Sequence, residues 1–168
     1  LYLRCKSACI YLRGFSVVNN MKVKNLMCGL MLTLGLATGP VNADKKEYRS
    51  PETVEGAVTV SVQQAKEFFD QGVTFLDVRN PRLYAKGHVP GTYHLDFKYN
   101  FDEEKLASVA EKNQPLVIYC SGVKCSRSYR ASEKALEWGY TKVYYFRGGI
   151  VEWKKAGYPV EKGDSAEK

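Results

Sequence analysis

Apolar positions along this chain recur at two spacings, and each change of spacing marks a new element. Ala57-Val58-Thr59-Val60 predicts a short strand, after which Ala65, Phe68 and Phe69 fall on one face at helical spacing. Ser61 and Gln64 stand at capping-box spacing ahead of that helix, and Gly72 ends it. Residues 73–78, VTFLDV, are nearly continuous in apolar character, as expected of a strand covered on both faces. Asn80-Pro81 predicts a short helix with Asn as its cap and Pro in its first turn. The turn Gly87-His88-Val89-Pro90-Gly91 then leads into a third strand over 92–95. Residues 100–112 predict a helix, with Asn100 and Glu103 at capping-box spacing and Leu106, Val109 and Ala110 facing inward.

The segment 115–138 organises the rest. Leu116-Val117-Ile118-Tyr119 reads as a buried strand, and Ala131, Ala135, Leu136 and Trp138 give residues 128–138 one apolar helical face. Gly139 stops that helix, residues 142–146 (KVYYF) predict a fifth strand, and Gly148-Gly149 turns into a last short helix bearing Ile150 and Trp153. Strands alternating with helices predict an α/β fold, a central five-stranded, mainly parallel sheet flanked by helices in three layers. Ligand sites in such sheets lie at the carboxyl ends of strands. Cys120 falls there.

Charge and cysteines divide by position. Of the formal net charge of +7, most sits in residues 1–43, which hold Arg4, Lys6, Arg13, Lys22, Lys24 and no acid. The remainder has 20 basic and 18 acidic residues without a basic block, so no nucleic-acid partner is expected. Met21, the basic Lys22 and Lys24, the apolar residues 26–37 and Val41-Asn42-Ala43 predict a signal peptide over 21–43, cleaved after Ala43. Its apolar stretch is shorter than the ~20 residues that span a bilayer, so no stable membrane association is expected after cleavage. The expected location is periplasmic or secreted. Residues 1–20 read as upstream sequence or a misassigned start, 44–56 as a flexible lead-in, 57–161 as the domain and 162–168 as a polar tail. After residue 43 only Cys120 and Cys125 remain, too few for a disulfide scaffold. With His88 and His94 in another segment, no metal site and no cofactor are expected.

The chemistry is expected between strand and helix. Cys120 is followed by Ser121, Gly122, Val123, Lys124, Cys125, Ser126 and Arg127 before the helix. Free N–H groups in such a loop and in a helix first turn, with the macrodipole, favour a thiolate and an anion beside it. Cys120 is the candidate nucleophile, and residues 121–127 the candidate substrate-binding loop. Lys124 and Arg127 add positive charge at its mouth. Cys125 is either a resolving cysteine bonding to Cys120 under oxidising conditions or a plain loop residue. Asp77 and Arg79 are expected to support the end of the second strand. His88 and His94 are given structural roles.

Several motifs together resemble one family. Leu76-Asp77-Val78-Arg79, Tyr84-Ala85-Lys86-Gly87-His88-Val89-Pro90-Gly91-Thr92 and Val117-Ile118-Tyr119-Cys120 are joined by Arg127-Ser128-Tyr129-Arg130-Ala131-Ser132, Gly139-Tyr140-Thr141-Lys142-Val143 and Arg147-Gly148-Gly149-Ile150-Val151-Glu152-Trp153. In this order and spacing they resemble a single-domain rhodanese over about residues 58–160. The resemblance implies a thiosulfate-sulfurtransferase-like activity in which Cys120 carries a sulfane sulfur as a persulfide. The implied partners are a small anionic sulfur donor and a thiol or cyanide acceptor. The alternative is a non-catalytic or redox-regulated module (Cys120/Cys125) serving an exported protein partner. One departure is plain: Arg127 comes seven residues after Cys120, later than the corresponding arginine of active rhodaneses. The loop is longer and carries a second cysteine, which bears on the choice of donor. A phosphatase-like reading wants a tighter cysteine–arginine spacing than this chain has.

Overall fold

Why the sheet is buried on both faces follows from its middle strands. In the computed structural model, which describes residues 47–163, β1 (Val58–Thr59), β2 (Thr74–Asp77), β3 (Tyr93–His94), β4 (Leu116–Tyr119) and β5 (Val143–Phe146) form one sheet. Its order is β1-β5-β4-β2-β3 and every pairing is parallel. All four residues of the central β4 are buried, which explains its unbroken apolar sequence. Five helices complete the alternation: α1 (Val62–Asp70), α2 (Pro81–Ala85), α3 (Glu103–Val109), α4 (Arg127–Glu137) and α5 (Gly149–Lys155). The candidate signal at 21–43, the segment 1–20 and residues 164–168 lie outside the described residues.

The two sides of β4 serve two cores. Leu116, Ile118 and Cys120 pack with Leu106 of α3 and with Ala131 and Ala135 of α4. Val117 and Tyr119 pack with Ala65 of α1 and with Ile150 and Trp153 of α5. Period-two alternation thus sends Cys120 toward α4. The caps follow local chemistry. Ser61 and Gln64 form both bonds of a capping box on α1, and the Asn80 side chain accepts from the Leu83 N–H at 2.9 Å.

Two expectations need correction. The helix expected over 100–112 is shorter, and its cap is Asp102, whose carboxylate accepts from the Lys105 N–H at 2.9 Å. Asn100 lies ahead of the helix in a turn, its N–H donating to the Asp96 carbonyl at 3.0 Å, and its side-chain oxygen is buried without a partner among the described residues. The lead-in, from residue 47 onward, is anchored rather than flexible. Arg147 donates to the Ser50 carbonyl through Nη2 at 2.9 Å and Nε at 3.3 Å, while the Tyr145 hydroxyl donates to the Pro51 carbonyl at 3.3 Å. Ser50 and Val54 are buried. At the other end, His88 and Glu161 exchange backbone hydrogen bonds at 2.9 and 3.0 Å, which ties the chain back onto the Gly87 turn. Among the described residues no helix is long and apolar enough to cross a membrane.

Candidate active site at the Cys120 loop

β4 ends at Tyr119 and delivers Cys120 to the carboxyl edge of the sheet, beside its neighbours β2 and β5. The chain then folds back on itself: the Cys125 N–H donates to the Gly122 carbonyl at 2.9 Å. Cys120 and Cys125 are joined by a disulfide, with their Cα atoms 6.4 Å apart. Of the two readings open for Cys125, the structure holds the bonded one. Cys120 is 1% exposed and belongs to the core on the α4 side, whereas Cys125 is partly exposed. In this state Cys120 carries no thiolate.

Two outside segments hold the loop. The Ile150 and Val151 amides at the start of α5 donate to the Cys120 and Ser121 carbonyls at 3.0 and 3.1 Å. From the lead-in, the Ser50 N–H donates to the Val123 carbonyl at 2.7 Å. Lys124 pairs with Glu47, and that ammonium holds the Glu47 carboxyl below its usual range, first through the hydrogen bond and then through its charge. The main-chain contacts use the loop's carbonyls. The amide N–H groups of Ser121, Gly122, Val123 and Lys124 have no acceptor among the described residues. Ser126, the first flanking residue of α4, makes no side-chain cap, so the N–H groups of that helix start are left uncapped as well. Unengaged donors around a cysteine are what a thiolate or a bound anion requires.

An open pocket of about 490 Å³ lies against the loop, lined by residues 121–125 together with Gly148, Val151 and Glu152. Residues 121–125 therefore gather at one place, while Ser126 flanks the start of α4 and two further residues stand apart. Cys120 sits beneath the pocket rather than on its wall, and Arg127 turns away, its Nη1 donating to Asp96 Oδ1 at 3.3 Å. Asp77 and Arg79 form a buried pair behind the strand ends. Arg79 Nε donates to both Asp77 oxygens at 2.9 Å, and its Nη2 donates to the Gly87 carbonyl at 3.0 Å. Both histidines donate to main-chain carbonyls, His88 Nδ1 to Tyr84 at 3.1 Å and His94 Nε2 to Arg79 at 2.8 Å.

Sequence reasoning missed four participants. Glu47 and Asp96 stand in no motif, Glu152 appears only inside the last stretch that carries the resemblance, and the Ser50 backbone lay in a stretch read as flexible. Only the Gly148-Gly149 pair carried a legible signal. At Gly149, with φ +55°, an added Cβ would collide with the Cys120 carbonyl oxygen and stand 2.9 Å from the Gly122 nitrogen. Among the described residues no group of three or more histidine, cysteine or acidic side chains is placed to hold a metal.

The fold and site define an α/β domain that presents a cysteine, in an amide-rich loop, at the carboxyl edge of a parallel sheet. The family model for the rhodanese-like domain matches residues 61–156, and the chain belongs to that family. It is similar to the protein HIGH ARSENIC CONTENT 1, mitochondrial, of Arabidopsis thaliana, at 33% identity over 69% of this chain and 73% of that one. It is also similar to the thiosulfate sulfurtransferase GlpE of Ectopseudomonas mendocina, at 32% identity over 64% of this chain and 94% of the relative. Among solved structures, the polysulfide-sulfur transferase homodimer of Wolinella succinogenes aligns with a TM-score of 0.53 and 25% identity, covering 67% of this chain and 84% of that one.

Proposed function

We propose that the chain is a sulfurtransferase that carries a sulfane sulfur on Cys120, from thiosulfate or a related anionic donor to a thiol or cyanide. The observation that carries this reading is the placement of Cys120 at the carboxyl end of the central strand, under a loop whose Ser121 to Lys124 amide N–H groups find no acceptor among the described residues. Sulfurtransferases among the relatives support the same class of reaction.

The reaction begins once the bond to Cys125 is opened. The Cys120 thiolate attacks the outer sulfur of thiosulfate, the S–S bond of the donor breaks, and sulfite leaves with the electron pair. The loop amides hold the donor's charge and then that of the persulfide, as an oxyanion hole does. A thiol or cyanide next takes the terminal sulfur and restores the thiolate. Lys124 is paired with Glu47, so its pull on an anionic donor is partly cancelled. Residues 21–43 support an exported location, and an acceptor on an exported protein fits it.

Protein reduced and then freed of reductant should form thiocyanate and sulfite from thiosulfate and cyanide, and Cys120→Ser should fall to background. Undiminished activity in that variant would overturn the reading. The Cys120–Cys125 bond favours a second reading, a redox-regulated module that carries sulfur for an exported partner. Fully reduced protein that binds one sulfur atom on Cys120 but does not turn over with cyanide or small thiols would select it.

A further inference from the structure

We propose that Cys125 resolves the Cys120 persulfide internally, so that the protein reduces sulfane sulfur to hydrosulfide and returns to the bonded form seen in the structure. This rests on the persulfide reading above and adds a second, reductive activity to it.

The bond itself shows that the two sulfurs reach each other within the folded loop. That loop is held in place from outside: Ile150 and Val151 grip it at Cys120 and Ser121, and Ser50 grips it at Val123. The Cys125 N–H, bonded to the Gly122 carbonyl at 2.9 Å, turns the second cysteine back over the first. An attacking thiol fixed in this way has a large advantage over a dissolved one, because the cost of bringing the groups together is already met by the fold. Access points the same way. The inner sulfur of the persulfide stays with Cys120, 1% exposed beneath the pocket, so an external thiol reaches that atom poorly, whereas Cys125 lies on the pocket wall.

The steps balance. The Cys120 thiolate takes the outer sulfur of thiosulfate and sulfite departs, leaving Cys120–S–SH after one protonation. The Cys125 thiolate then attacks the Cys120 sulfur, the inner atom of the persulfide. The Cys120–Cys125 bond forms, the bond to the terminal sulfur breaks, and hydrosulfide leaves with the electron pair. Two thiols have been oxidised to one disulfide, and the sulfane sulfur has gained two electrons. The cycle closes with an external dithiol. One of its thiolates attacks Cys125, the more exposed sulfur, and frees the Cys120 thiolate. Its second thiol then breaks the mixed disulfide and leaves as part of an oxidised dithiol.

The test is a single turnover of the full chain, reduced and then freed of reductant, with thiosulfate in the absence of any added thiol. Sulfite and sulfide should appear in equal amounts, and peptide mapping should find the Cys120–Cys125 bond re-formed in the same proportion. Cys125→Ser should release sulfite, keep one extra sulfur atom on Cys120 and yield no sulfide, with Cys5, Cys9 and Cys28 still present as controls. A wild-type protein that holds a stable persulfide beside a free Cys125 would overturn this inference and leave the sulfurtransferase reading standing. Sulfide from Cys125→Ser at the wild-type rate would do the same. Sulfite from neither protein would overturn both readings.

Discussion

Gly149 has a backbone φ of +55°, which a side chain resists, and its Cα lies against the Cys120 and Gly122 backbone. No neighbouring side chain can swing aside there, because the atoms in the way belong to the main chain. Gly149→Ala is therefore expected to cost about 2–4 kcal/mol of stability, combining backbone strain and overpacking. Urea unfolding measures it, and sulfite release should slow in parallel because the loop is displaced. The same scale shows what a sequence can signal. A Gly-Gly pair after a strand announces a tight turn by itself, and Asp77 with Arg79 announces a pairing at a strand end. Asp96 announced nothing, since its partner Arg127 is 31 positions away and only the fold brings them together. Arg127 was legible as a cation beside the cysteine but not as one already engaged.

Among the elements, the segment ahead of β1 departs most from what its composition suggests. Charged residues and Pro51 made it look like a tether, yet its backbone finds partners in β5 and in the cysteine loop. Nothing local encodes this, because Arg147, which holds it, lies 97 positions away. Arg147→Ala should cost about 1.5–3 kcal/mol, as loss of hydrogen bonds from a charged donor does. Faster amide exchange at Ser50, whose N–H reaches Val123, would show that the loss spreads to the site; unchanged exchange there would separate the two. The helix before β4 teaches a related lesson. Asn100 and Asp102 both suit a cap by residue type, but Asn100 closes a turn on Asp96 ahead of the helix, and it is the Asp102 carboxylate that meets the Lys105 N–H. Helix existence was readable from the inward Leu106, and the boundary was not.

Viewed whole, the architecture was legible because each strand of the sheet centre is apolar along its length and each helix is apolar along one stripe. The parallel order followed from the alternation of the two, and the family resemblance agrees with it. Redox state was not legible, since two cysteines five apart are compatible with free thiols as well as with a bond. The core on the α1 side is coupled to the cysteine loop through α5. Trp153, fully buried, meets Phe69, Phe75 and Tyr158 at ring-centre distances of 5.4, 6.0 and 5.0 Å and donates through Nε1 to the Pro159 carbonyl at 2.7 Å. Trp153→Ala should lower stability by about 3–5 kcal/mol. Because the same helix begins with the amides that hold Cys120 and Ser121, the variant should also lose persulfide-forming rate at temperatures where it remains folded. Full activity there would show that the loop is held without α5.

That helix divides its work by direction. Ile150 and Trp153 face inward, while Val151, 60% exposed, and Glu152 face the pocket beside Cys125. Neighbouring positions on a single turn thus meet different physical constraints, one pair set by the packed interior and the other by the open space beside the sulfur. A lineage could exchange its clientele through the outer pair alone, leaving the scaffold that ripens the thiol untouched.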